Sequence, residues 1–372
     1  MENDTSEHVV SRGSKMVDVI LHIGFGKCGS TALQYALSNT PTLKVNKRKY
    51  KDIKYLSIDI DGNVYAESSL STRARLTASH SVSSLAAVHF EKFSDETFNA
   101  IRQRLEKLSN NNESLLVLSC ESWIRRADVF AKLSIFEKLG IRPKVIAYVR
   151  NPVEWINSAW WQWGAWSDKT LKNYIDEMLN TRILKWHTDV EKWKDLLGTE
   201  NVKVKVLPKD IVKDFYQTVG VDMNLYKENR GNSSLPKEIL RYYQKHRELR
   251  KSEHDNALDF LLSRHLKFHN SFSKTPWVLD HTMITHILTQ SKENNLRLME
   301  LLDANSKKIC AEDRRWWDLS AFKDKIVSSP ECKDECLTYE ELDRLLMATI
   351  RGMEKLNAIN LKFRQTIIDL KP

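Results

Sequence analysis

Leu21-His22-Ile23-Gly24-Phe25-Gly26-Lys27-Cys28-Gly29-Ser30-Thr31 is the stretch on which the fold turns. It closes an apolar run, residues 17–23, that ends in glycines as a buried strand does. Residues 31–37 then read as a helix. Strand, glycine-rich turn with a lysine, helix: this order builds a phosphate cradle. Glycines let backbone amides face an anion, and the helix N-terminus adds partial positive charge. Lys27 brings a full charge, and Ser30 and Thr31 bring hydroxyl donors. The plain alternative is a tight strand–helix turn with an incidental lysine.

Working outward, residues 55–66 hold two β-rich runs around Asp61-Gly62-Asn63, which predicts a hairpin. Residues 94–108 have helical spacing and start on Ser94-Asp95-Glu96-Thr97. Residues 115–118 form a second buried strand, and residues 127–139 a helix closed by Gly140. A third strand spans 144–149, and Pro152 opens a helix at its favoured first position. A fourth strand, 202–207, stops at Pro208. Apolar strands alternating with helices imply a doubly wound α/β fold, a parallel sheet covered on both faces. Beyond residue 235 strand-like runs give way to charged amphipathic stretches at 236–249, 256–268 and 339–356. The expected organisation is a loose tail (1–16), an α/β core (17–235) and a mostly helical C-terminal region (236–372).

The chain has 372 residues, 41% hydrophobic and 29% charged, which excludes disordered, collagen-like and disulfide-dense classes. Lys and Arg number 58 against 49 Asp and Glu, a net charge of +9. That excess suits an anionic cofactor or substrate as well as it suits nucleic acid, and a solubilising surface explains it too. No basic stripe interleaved with aromatics supports nucleic-acid binding. The five cysteines, at 28, 120, 310, 332 and 336, make neither a zinc pattern nor a disulfide framework. With no apolar leader in residues 1–15 and no run near the ~18 residues a membrane span needs, a cytoplasmic protein is expected.

An ATP-binding loop reads G-x-x-x-x-G-K-[ST]. Gly24 and Gly29 keep that spacing, but Ser30 takes the lysine's place and Lys27 sits inside the loop. A lysine there meets a 5′-phosphate and its bridging oxygen. A second segment, Val145 to Ser158, reads as a strand ending in Arg150, then Asn151-Pro152, then a helix with Ser158 eight residues after the arginine. An arginine at a strand's C-terminal end can grip a phosphate bidentately.

Together these segments resemble the sulfotransferases that use 3′-phosphoadenosine-5′-phosphosulfate (PAPS), of the bacterial and carbohydrate type. Lys27-Cys28-Gly29-Ser30-Thr31 is similar to that family's 5′-phosphosulfate loop, K-[ST]-G-[ST]-[ST], and Val145 to Ser158 to its 3′-phosphate segment. The resemblance covers residues 17–235. It implies a P-loop-like fold, PAPS as donor, adenosine 3′,5′-bisphosphate as product, and no metal. It implies nucleotide contacts from Gly26, Lys27, Cys28, Gly29, Ser30 and Thr31 at one end, and from Arg150 and Ser158 at the other. Cys28 departs from the pattern, because a thiol is a poor hydrogen-bond donor. Arg230 and Gly231, in the polar turn 229–234, are similar to the family's late nucleotide-closing loop, without its lysine.

Sulfuryl transfer needs charge on the leaving phosphate, a base for the acceptor and alignment of the two. Lys27 is the candidate for the first task. Glu121, in Ser119-Cys120-Glu121-Ser122 just past a strand, is the candidate base; strand C-terminal ends form the ligand crevice of such sheets. Glu121 capping the next helix or pairing with Arg125 is the plain alternative. His89 is a rival base, and His22 reads as a satisfied core histidine. Trp155, Trp160, Trp161, Trp163 and Trp166 fall within twelve residues and cannot all enter one core. At least one is expected to border the acceptor, a hydroxyl-bearing carbohydrate or small molecule, less readily an amine. Cys28 beside Lys27 at a helix N-terminus favours a reactive thiolate, while burial opposes it. A P-loop kinase-like phosphotransferase and a non-catalytic nucleotide- or glycan-binding module are the competing readings.

Overall fold

The computed structural model describes residues 16–46, 49–84, 90–226, 235–250, 252–266, 272–331 and 337–369. One sheet of seven strands organises them: β1 (Val17–His22), β2 (Thr42–Lys44), β3 (Asp52–Ile58), β4 (Val64–Ala66), β5 (Ser114–Ser119), β6 (Ile141–Val149) and β7 (Val202–Val206). The order is β2-β3-β5-β1-β6-β7, with β4 also on β3. β3, β5, β1, β6 and β7 run parallel. β2 and β4 pair antiparallel with β3. Every residue of β1 and β5 is buried, as in a sheet covered on both faces. On one face the helices Ser30–Asn39 and Ile211–Val219 pack together; on the other lie Asp95–Ser109, Ile135–Leu139 and Trp186–Leu197. From β1 the chain builds first to one side and later, through β6 and β7, to the other. The carboxyl ends of β1, β5 and β6 therefore meet at a switch point, where an open α/β sheet forms its crevice.

The hairpin at 55–66 forms between β3 and β4. Gly62 turns it at a φ of 86°, and the Asp59 carboxylate accepts the amides of Asp61 and Asn63. The helix expected over 127–139 is broken into Ala127–Lys132 and Ile135–Leu139 by Ser134, at a φ of 48°. In an unbroken helix Phe130 and Phe136 would point about 120° apart. The break turns both rings onto Trp193, at 5.1 and 6.4 Å between centroids.

The region after residue 235 is helical, and it packs on the sheet. His281–Leu301 lies against the Pro152–Gln162 helix, and the Asp303 amide donates to Val204 O of β7 at 3.0 Å. Pro276 O accepts the Trp161 indole N–H, and Asn157 accepts the Val278 amide. The last helix runs Tyr339–Asp369, well past the 356 expected from charge pattern.

Candidate functional site

A cleft of about 320 Å³ opens at the carboxyl ends of β1, β5 and β6. Its floor is the loop after β1. Lys27 adopts a φ of 65° and Gly29 one of 84°, so two left-handed residues reverse the chain before Ser30 starts its helix. For lysine that conformation is uncommon, and the surroundings must enforce it. The Gly26 carbonyl is drawn aside by the Trp155 indole N–H at 2.7 Å, and the Cys28 amide closes a turn onto Phe25 O. A Cβ at position 24 would stand 2.8 Å from Ser30 Oγ, so a larger residue there must push the Ser30 side chain aside. No side chain caps the Ser30–Asn39 helix, which leaves its first amides turned to the cleft.

Lys27 donates to Gln162 Oε1 at 2.5 Å, from the last turn of the Pro152–Gln162 helix. Burial, and then the nearby positive Arg150, push its ammonium down to about 8, while Glu121 and Asp259 pull it back. Glu121 lies two residues past the end of β5 and opens the short turn Glu121–Arg125, with Cys120 at the cap position. Its residue surface is open to the cleft, yet protein crowds round the carboxyl. Burial therefore raises its pKa above the ordinary carboxylate value, against the Ser30 hydroxyl and the Lys27 charge. Ser30 Oγ is buried and has no partner of ordinary hydrogen-bond geometry within the protein.

Arg150 leaves the end of β6 and meets Glu154 at 3.4 Å. Asn151 caps the following helix by accepting the Glu154 amide at 2.9 Å, with Pro152 at the first position. Glu154 is shared with Arg315 of the C-terminal region at 3.3 Å. Burial alone would raise its carboxyl; Arg150 and Arg315 outweigh that and hold it below its usual value. The anion thus steers Arg150 while Arg315 takes part of its charge. Ser158 lies two turns along the same helix and lines the same cleft.

The structure therefore brings Gly26, Lys27, Gly29, Ser30, Thr31, Glu121, Arg150 and Ser158 to one cleft. Cys28 is not among its lining residues: the thiol is 1% exposed, and burial pushes it up to about 12. Of the two opposing influences on Cys28, burial outweighs the positive Lys27 and Arg150, which favours the unreactive thiol. Arg230, Gly231 and His89 lie outside the described residues, as do Cys332 and Cys336. His22 is buried beneath the loop, with Nδ1 on Ser119 Oγ at 2.8 Å and Nε2 unpaired, so it is a core histidine only half satisfied. Burial lowers it to about 4 and keeps it neutral. Trp161 and Trp163 line the cleft, while Trp155 and Trp160 are core.

Sequence reading missed the far wall. Asn256, Asp259, Phe260 and Ser263, at or on the Ala257–His265 helix, face the cleft together with Thr275. Their spacing, i, i+3, i+4, i+7, is one helical face, and three of the four are polar in a leucine-rich segment. That was the available signal. Asp259 accepts from the buried Arg250 at 3.1 Å, and Arg250 donates to the Gln162 carbonyl at 2.9 Å. The far wall is thereby tied to the residue that holds Lys27. Among the described residues no group of three or more His, Cys, Asp and Glu could hold a metal ion. None of the described helices is long and apolar enough to cross a membrane.

No family model and no curated protein matches the chain. Among solved structures, a sulfotransferase from Alicyclobacillus acidocaldarius is similar, at 14% identity and a TM-score of 0.33, over 64% of this chain and 94% of that one.

Proposed function

We propose that the chain is a sulfotransferase that moves a sulfuryl group from PAPS to a hydroxyl of a carbohydrate or small-molecule acceptor. One observation carries this reading. A lysine-bearing amide cradle, an arginine–serine pair and a carboxylate, from three segments spread between residues 26 and 158, meet in one cleft. The cradle suits the 5′-phosphosulfate, with Gly26, Gly29 and the amides of Ser30 and Thr31 at hand. Arg150 and Ser158 suit the 3′-phosphate.

Lys27 exchanges Gln162 for the donor and stands at the bridging oxygen, where negative charge grows as the S–O bond breaks. Glu121 takes the proton from the acceptor hydroxyl as that oxygen bonds to sulfur. Its raised pKa brings it nearer to the working pH and improves it as a base. Asp259 and Ser263 line the same cleft from the Ala257–His265 helix, and we assign that side to the acceptor. We place the chain in the cytoplasm, a reducing compartment that keeps buried thiols such as Cys28 and Cys310 reduced.

The test is incubation of the purified chain with sulfur-labelled PAPS and a lysate of its source organism. Label should enter a discrete product with the wild type and not with Lys27→Ala. Nucleotide binding with no labelled product under any acceptor supply would point to a non-catalytic module.

A further inference from the structure

The terminal helix, Tyr339–Asp369, rests on the body along one narrow strip. Ala348 and Gly352 are buried there. A Cβ on Gly352 would come within 3.0 Å of Leu266, at the end of the Ala257–His265 helix. A second strip carries residues 339, 342, 346, 349, 353, 356, 360 and 363, steps of three and four in strict alternation. Tyr339, Leu342, Leu346, Met353, Leu356 and Phe363 occupy six of these places, and all are exposed, from 39% for Leu356 to 86% for Tyr339. A helix serving only its own core turns such a stripe inward. Here the stripe is centred roughly 90° round the helix from the buried strip, taking ~100° per residue. The helix can therefore keep its seat on the body and make a second contact.

The spacing says what that contact is. An apolar repeat averaging 3.5 residues is the seam of a coiled coil, in which each side chain fits between residues of a like helix. Two polar residues interrupt it. Thr349 satisfies its hydroxyl within the helix, on Leu345 O at 2.8 Å. Asn360 shares the heptad position of Leu346 and Met353. A single asparagine at that position favours two parallel strands in register, because only then does it meet its own copy. Charge agrees: the helix holds five acidic and five basic residues, so a second copy meets no net repulsion. The same balance gives an anionic bilayer no excess of positive charge to attract.

We propose that this strip pairs with the same strip of a second copy of the chain, as a parallel two-stranded coiled coil. The pairing stands independently of the activity proposed for the cleft.

Light scattering on the full chain during size-exclusion chromatography, at tens of micromolar, tests it. The wild type should have the mass of two chains. Leu346→Asp with Met353→Asp, both at exposed positions, should halve that mass and leave the circular dichroism melt of the body in place. Leu361→Asp, exposed but off the seam, should remain a dimer. Asn360→Cys treated with a short bismaleimide should yield a peptide joining position 360 to position 360 of the other copy. A wild-type monomer, a trimer or tetramer, or a dimer that survives the double substitution overturns the proposal. A dimeric Asn360→Cys protein without that cross-linked peptide overturns the parallel register.

Discussion

Replacing Lys27 by methionine should make the ligand-free protein more stable while removing its affinity for the nucleotide. The ammonium is held in a crowded site beside Arg150, and its pKa falls from 10.5 to about 8. At about 1.4 kcal/mol per tenfold change in proton affinity, this is a penalty of up to about 3 kcal/mol on the charged, folded form. Loss of the Gln162 hydrogen bond returns about 1 kcal/mol of that. A net gain of about 2 kcal/mol remains at pH 7, worth about 4–8 °C of Tm at most for a chain of this size. The sign with pH is fixed. A lysine whose pKa is lower folded than unfolded destabilises fully below its folded pKa, near 8 here. The penalty shrinks as pH rises from there towards 10.5. The advantage of Lys27→Met over wild type should therefore be largest at pH 7 and less than half as large at pH 9.5. Paired thermal melts at the two pH values read it directly. A Lys27→Met protein that is less stable at pH 7, or whose advantage does not change with pH, refutes the account of Lys27 as a strained cation awaiting an anion.

Other outcomes follow from the same geometry. Glu121→Gln should keep affinity for adenosine 3′,5′-bisphosphate, measured by thermal shift, and lower transfer by roughly 10²-fold or more; full activity would move the base elsewhere, with His89 next in line. Arg150→Ala should erase the preference for PAPS over adenosine 5′-phosphosulfate, and equal wild-type affinity for the two nucleotides would remove the arginine's assigned role. Iodoacetamide at neutral pH should leave Cys28 unmodified in the native protein and label it in urea, since its thiol is buried and held near 12; rapid native labelling, read by peptide mass, would show an opening that the fold does not provide. Gly24→Val should weaken nucleotide binding, because its Cβ would push the Ser30 side chain aside; nucleotide binding unchanged in that variant would mean the cradle is not used.

The strands and the loop were legible because they rest on local rules. An apolar run ending in glycines has few other fates, and Asn151 before Pro152 joins a favoured N-cap to a favoured first helical residue. What sequence left hidden depended on distant partners. The break at Ser134 accompanies the contact of both Phe130 and Phe136 with Trp193, about sixty residues on, a partner no local rule names. Cys28 has the neighbours of a reactive thiol, but its burial is set by the tertiary packing of the core, which outweighs them. The wall carrying Asp259 was missed because a polar helical face reads as solvated until another surface is laid against it. Glu154 illustrates the same limit. It stands four residues from Arg150 and could be expected to neutralise it, yet Arg315 takes up part of its charge from 161 residues away.

Calorimetric titration of the wild-type chain with adenosine 3′,5′-bisphosphate and with adenosine 5′-monophosphate bears most directly on the central claim, that the cleft reads a nucleotide by both phosphates. Charge-assisted hydrogen bonds are worth about 1.5–3 kcal/mol each, so removing the 3′-phosphate, with its Arg150 and Ser158 contacts, should weaken binding by at least about 10-fold. The account predicts one site per chain and a ratio at least that large. Equal affinities for the two nucleotides, or no heat from either, would contradict it.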